Sequence, residues 1–210
     1  MARLCGKIAV VLALLPVLLA LRPVDTDLFG AIFLGDRAKV EALLLDGADV
    51  HAEQEDKTTP LQLAITRNRP EVVALLLDHG ASVDQLSIGI PPLHLAAESG
   101  FVKVMAVLLD KGAAVNQVDS MYGVIPLHVA ASRGHREAVA LLLSKGAAVN
   151  LPAPSGMTPL HLAVRGGHRQ VIADLLQHGA DKTATTTKGK RPVDIARAEN
   201  DSDLIPLLEP

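Results

Sequence analysis

The fold class this sequence predicts is an all-α solenoid of stacked helical repeats, and three observations predict it. A short string recurs: Gly156-Met157-Thr158-Pro159-Leu160-His161-Leu162-Ala163 has versions at 123–130 and 89–96, a looser one at 58–64 and a worn one at 189–196. Its prolines, Pro60, Pro92, Pro126, Pro159 and Pro192, are spaced by 32, 34, 33 and 33 residues. A period of this length means supersecondary units that bury their apolar faces on one another. The composition agrees, with 49% hydrophobic residues but only 2% aromatic ones and no Trp. Such a core is built from Leu, Val, Ile and Ala, which suits thin, closely stacked helices.

Before the repeats, residues 1–24 have a different character. Arg3 and Lys7 precede an uninterrupted apolar run over 8–21 that ends at Arg22-Pro23. A basic start followed by an apolar stretch too short to span a bilayer comfortably has the pattern of a secretory signal. Ala20 suits a cleavage site and Leu18 is large for one, so a cleaved signal and an uncleaved N-terminal anchor both stand. The expected location is exported and periplasmic, with membrane anchoring by residues 8–21 as the alternative. Removing residues 1–24 takes Arg3, Lys7 and Arg22 and no acid, leaving 17 basic residues against 23 acidic ones, about −6. That balance does not suit nucleic acid, whose binding needs a basic face. The single cysteine, Cys5, lies ahead of the apolar run, so residues 25–210 have neither a disulfide nor a thiol nucleophile.

The repeat domain is expected over 25–210, with an N-terminal cap repeat at about 25–56. Within it, the segment 39–48 has apolar residues at helical spacing and stops at Gly47. Repeats follow at about 57–88, 89–122, 123–155 and 156–188, with a C-terminal half-repeat at 189–210. The shared pattern opens with a Thr that can cap a helix and a Pro at the first helical position, where its missing N–H costs nothing. Asn68, Gly100, Gly134 and Gly167 end the short first helix. The second helix carries an apolar face, such as Val139, Leu142 and Leu143, and ends at Gly80, Gly112, Gly146 or Gly179. Variation in repeat length falls between these glycines and the next Pro. Thr is replaced by Pro91, Ile125 and Arg191 in three copies, so those turns are expected to be less well held, at a cost of about 1 kcal/mol each.

Thr-Pro-Leu-His-x-Ala at 158–163, Gly-His at 167–168 and Leu-Leu-x-x-Gly-Ala-x-x-Asn at 142–150 together resemble the ankyrin repeat family, and the likeness covers about residues 25–208. The resemblance implies helix-turn-helix units joined by β-hairpin-like loops. It also implies that His94, His128 and His161 hydrogen-bond the loop of their own or the adjoining repeat, and that partners bind the hairpin tips and the exposed positions of the first helices.

The candidates for chemistry are few. Equivalent histidines in stacked repeats stand about 10 Å apart, too far for one metal ion. His135 and His168 follow glycine in a structural place, and His51, His79 and His178 are expected at the surface. No serine sits in a nucleophile elbow, and the glycines are dispersed rather than gathered into a phosphate loop. The sequence therefore predicts no enzyme, no cofactor and no metal.

What remains is a binding surface for another protein. The family's contact positions map onto the tips at Glu55, Asp56 and Thr58; Ser87, Ile88 and Ile90; Met121, Tyr122 and Val124; Pro154, Ser155 and Met157. On the helices they map onto Thr66, Arg67, Glu98, Ser99, Ser132, Arg133, Arg165 and Gly166. Ile88, Ile90, Met121, Tyr122, Val124 and Met157 come from adjacent repeats and are expected side by side, and an exposed apolar patch marks an interaction site. Arg133 and Arg165 join them, because interfaces are enriched in Arg, Met and aromatic residues. Hairpin-against-hairpin packing is the competing reading of the same patch. The expectation is a monomeric, non-enzymatic binding module that touches a membrane only if the leader stays attached. Resemblance to exported bacterial ankyrin proteins implies a role in protecting or restraining a partner enzyme or toxin. A membrane-tethered scaffold is the alternative.

Overall fold

A computed structural model describes residues 22–84 and 90–209. The apolar run of the leader and the candidate Ile88 lie outside the described residues. Twelve helices are found among them, in six consecutive pairs: α1 (Pro23–Leu34) and α2 (Arg37–Leu45), α3 (Pro60–Thr66) and α4 (Pro70–Asp78), α5 (Pro92–Ser99) and α6 (Val102–Asp110), α7 (Pro126–Arg133) and α8 (Arg136–Ser144), α9 (Pro159–Arg165) and α10 (Arg169–Gln177), α11 (Pro192–Ala198) and α12 (Ile205–Leu208). No strand occurs among the described residues, and none of their helices is long and apolar enough to cross a membrane.

The pairs stack in two layers. First helices contact first helices from α1 to α11, and second helices contact second helices from α2 to α10. The repeated string explains the first layer. Pro opens α3, α5, α7, α9 and α11, and the Leu or Val after it is buried at Leu61, Leu93, Leu127, Leu160 and Val193. The Ala three positions further on, from Ala64 to Ala196, is also buried, and its small side chain lets neighbouring helices approach closely. In the second layer Val72, Leu76, Val104, Leu108, Val139, Leu142, Val171 and Leu175 complete one continuous core.

Each first helix stops at a left-handed residue: Gly35, Asn68, Gly100, Gly134, Gly167 and Asn200 all have φ between 52° and 78°. Gly134 shows why glycine is also needed for space. The ring of His168, from the next repeat, lies against it, and a Cβ on Gly134 would sit 2.5 Å from His168 Nδ1. His168 Nε2–H donates to Ser132 O at 3.0 Å, and His135 Nε2–H donates in the same way to Glu98 O. The Gly-His pair is thus a stitch between consecutive repeats, with the glycine on one and the histidine on the next.

The two ends depart from the sequence reading. The N-terminal unit has a complete first helix, α1, of 12 residues. It lacks the Thr-Pro-Leu-His string, and its start at Pro23 lies inside the segment 1–24. The last unit has a second helix, the four-residue α12, where the sequence predicts a half-repeat.

At the N-terminal edge Arg22 and Asp25 replace a missing neighbour. Inside the stack, Asn116 donates to Gly146 O and accepts from Ala148 N, and Asn150 does the same with Gly179 O and Asp181 N. Among the described residues no Asn makes these two bonds at Gly47 and Asp49. Instead Arg22 donates to Gly47 O and buried Asp25 accepts from Asp49 N, while the two side chains pair at 2.9 Å.

Candidate functional site

Four described loops between repeats are hairpin turns whose mouths are closed by Gln54 N to Thr58 O, Asp119 N to Val124 O, Ala153 N to Met157 O and Thr186 N to Lys190 O, each with a second bond inside the turn, such as Gly123 N to Asp119 O. The motif histidines hold them. His94, His128 and His161 donate from Nε2 to Val124 O, Met157 O and Lys190 O, the closing carbonyls of the following repeat's hairpin. The family resemblance implies this role. Burial pushes all three imidazoles below their ordinary pKa, His128 to about 4, so they are neutral donors at neutral pH.

On the other ring nitrogen the expectation of weakened turns needs correction. Ile125 N–H donates to His128 Nδ1 at 3.3 Å and Thr158 N–H donates to His161 Nδ1 at 3.1 Å. Arg191 N–H donates to Asp194 Oδ2 at 3.0 Å. In these three helices the third residue therefore caps the turn whether or not a Thr precedes it. A hydroxyl accepting from a helix N–H is found only at Thr59, to Gln62 N, among these five turns. Only Pro91, with no N–H, leaves its partner bare: His94 Nδ1 is buried without a hydrogen bond.

The longest of these four hairpins, 119–124, is organised by Asp119, which is only 3% exposed. Its carboxylate accepts from Met121 N, Tyr122 N and Val124 N at 2.9, 2.6 and 3.0 Å. The other closed hairpins span one residue fewer. The extra residue carries Met121 and Tyr122 outward, where they are 55% and 66% exposed. These are large apolar side chains held out by a backbone that three hydrogen bonds fix.

Beside this tip is a groove of about 360 Å³, lined by Ile90, Leu95, Tyr122, Val124 and Val129, with Glu98 and Arg133 joined in an ion pair at its side. A second groove of about 340 Å³ lies between hairpin 186–190 and helices α9 and α11, and takes in Met157 and Arg165. The candidate residues divide between the two grooves. Ile90, Tyr122, Val124 and Arg133 share the first groove, Met157 and Arg165 share the second, and Met121 projects from the tip outside both. Arg165 Nη1 lies 3.6 Å from Met157 Sδ.

Sequence reasoning missed Asp119 and the Leu95–Val129 floor, and it passed over Lys188 and Lys190 in the second groove. The 34-residue spacing between Pro92 and Pro126 is the signal that could have flagged the longer hairpin, and a small polar residue opening a turn could have flagged Asp119. Among the described residues no group of His, Cys, Asp or Glu is placed to hold a metal ion.

In comparison with known proteins, a family model described as ankyrin repeats (3 copies) matches residues 28–119 and, again, 115–186. No curated protein matches the chain.

Proposed function

Because the chain belongs to the ankyrin repeat family, whose members are in general protein-protein interaction modules and typically not enzymes, we propose that it binds a partner protein noncovalently through its first-helix and hairpin face. The centre of contact is the groove of Ile90, Leu95, Val124 and Val129, with Tyr122 and Met121 as the projecting anchors. One observation carries this reading: two large apolar side chains stand exposed on a turn that Asp119 fixes by three hydrogen bonds. A preordered anchor loses little conformational entropy on association, and buried aromatic anchors dominate interface energies. The hairpin-packing alternative suits Val124 and Ile90, which are half-buried, but not Tyr122.

In this proposal the protein acts in an exported, periplasmic setting and restrains or protects a partner enzyme or toxin. The basic-then-apolar leader supports the first part and the resemblance to exported ankyrin proteins the second. A membrane-tethered scaffold is the second reading, and the apolar run over 8–21 favours it. A soluble protein whose mature N-terminus lies near Leu21 would reject tethering.

The test is capture of the partner from the native compartment, identified by mass spectrometry, with wild type and with a Met121→Ala, Tyr122→Ala double variant of unchanged melting temperature. The partner is expected with wild type and lost with the variant. Equal capture by both would remove the tip from the interface.

A further inference from the structure

The second groove differs from the first in its charge. In the first, Arg133 is neutralised by Glu98. In the second, Arg165, Lys188 and Lys190 line the opening, all three exposed. Arg165 touches only the Met157 sulfur, and neither lysine forms an ion pair among the described residues. Of the two carboxylates in the lining, Asp194 is already committed to Arg191 and Arg197. Its hydrogen bonds from Arg191 hold it down to a pKa of about 2, so at neutral pH it is ionised, with Arg191 and Arg197 balancing its charge. Glu199 is the other. The floor is apolar, formed by Met157, Ile195 and Ala198. A net-positive groove thus stands on a chain whose formal charge is −3.

We propose that this groove receives an extended acidic segment of the partner protein, its carboxylates on Arg165, Lys188 and Lys190 and an aliphatic side chain between them on the Met157–Ile195–Ala198 floor. The inference rests on the binding role proposed above and deepens it by specifying the partner's chemistry. Charge complementarity favours an acidic peptide. A nucleic acid is disfavoured because the floor offers no aromatic platform for bases. Along the hairpin row the partner would then be apolar opposite Tyr122 and acidic opposite Lys188.

The probe is a short fluorescent peptide of glutamates interrupted by single leucines, with a lysine-leucine peptide and a single-stranded oligonucleotide as comparisons, each titrated onto the full chain by fluorescence anisotropy. The acidic peptide is expected to bind alone among the three, to weaken as salt rises, and to lose about tenfold in affinity with Lys188→Glu, Lys190→Glu. A milder Lys188→Gln, Lys190→Gln variant, checked by its melting curve, covers the case in which charge reversal disturbs the fold. Lys103→Gln, at an exposed position on second-layer helix α6, is expected to leave peptide binding unchanged, because it lies outside this groove. Absent acidic-peptide binding at low salt, indifference to both lysine variants, or preference for the oligonucleotide would overturn the inference. Those results leave partner capture through Tyr122 unaffected, whereas loss of dependence on Tyr122 in capture sinks the broader reading alone.

Discussion

Pro91 leaves His94 half-bonded. Where Ile125 and Thr158 give an N–H to the histidine three residues on, Pro91 has none to give, and His94 Nδ1 is buried with no partner. The backbone at Pro91, φ −64° and ψ 149°, is close to that of Thr158, φ −85° and ψ 168°.

Threonine should therefore fit at 91 and supply both an N–H and a hydroxyl to His94. Satisfying a buried acceptor is worth about 1–3 kcal/mol, against about 0.4–1 kcal/mol for the extra freedom the unfolded chain regains when a proline is lost. Pro91→Thr should stabilise the protein by about 1 kcal/mol in urea denaturation, and Pro91→Ala by less. A destabilised Pro91→Thr variant would contradict the hydrogen-bond account.

A second expectation concerns pH. Folding lowers the pKa of His128 from 6.5 to about 4, through burial, and lowers those of His94 and His161 for the same reason. Between those values the unfolded chain binds the proton and the folded chain does not, so stability is complete above about pH 6.5 and falls as the pH drops toward 4. At about 1.4 kcal/mol per pH unit, His128 alone accounts for roughly 3 kcal/mol of that loss. Protonation would also place a hydrogen on Nδ1 facing the Ile125 N–H. Urea midpoints measured across this range check the slope, and His128→Gln should flatten it.

The repeat string made most of the scaffold legible, because a period of about 33 residues repeats each buried position four or five times. The compensations were not legible. Asp194 in place of His looks like decay, yet its carboxylate takes over the histidine's bond to the turn N–H. Arg22 and Asp25 look like the frayed end of a leader, yet between them they make the two bonds of an absent Asn. The candidate site was half legible. Its residues could be placed on the first-helix and hairpin face, but their division into two grooves follows from how the hairpins project, which the repeat string does not specify.

That edge gives a third prediction. Asp25→Ala strands the Asp49 N–H and leaves Arg22 without its partner, and should cost about 2 kcal/mol. Asp25→Asn keeps the acceptor and should cost less. Guanidinium denaturation of both variants measures the difference.

The stitch between repeats gives a fourth. Both Gly112 and Gly134 have positive φ, but a Cβ at Gly112 meets nothing within 4 Å, whereas at Gly134 it runs into His168. Gly112→Ala should cost about 1 kcal/mol, from the left-handed backbone alone. Gly134→Ala should cost about 2–3 kcal/mol, because it also displaces the ring that bonds Ser132 O. Equal thermal shifts would argue against the stitch.

The most direct test of the binding role places a photoreactive phenylalanine analogue at Tyr122 and, separately, at Ala140, an exposed position on second-layer helix α8, and irradiates each protein in its native compartment. The account predicts one prominent crosslinked adduct from position 122, competed away by unlabelled wild-type protein, and none from 140. Adducts from 140 with none from 122 would contradict it.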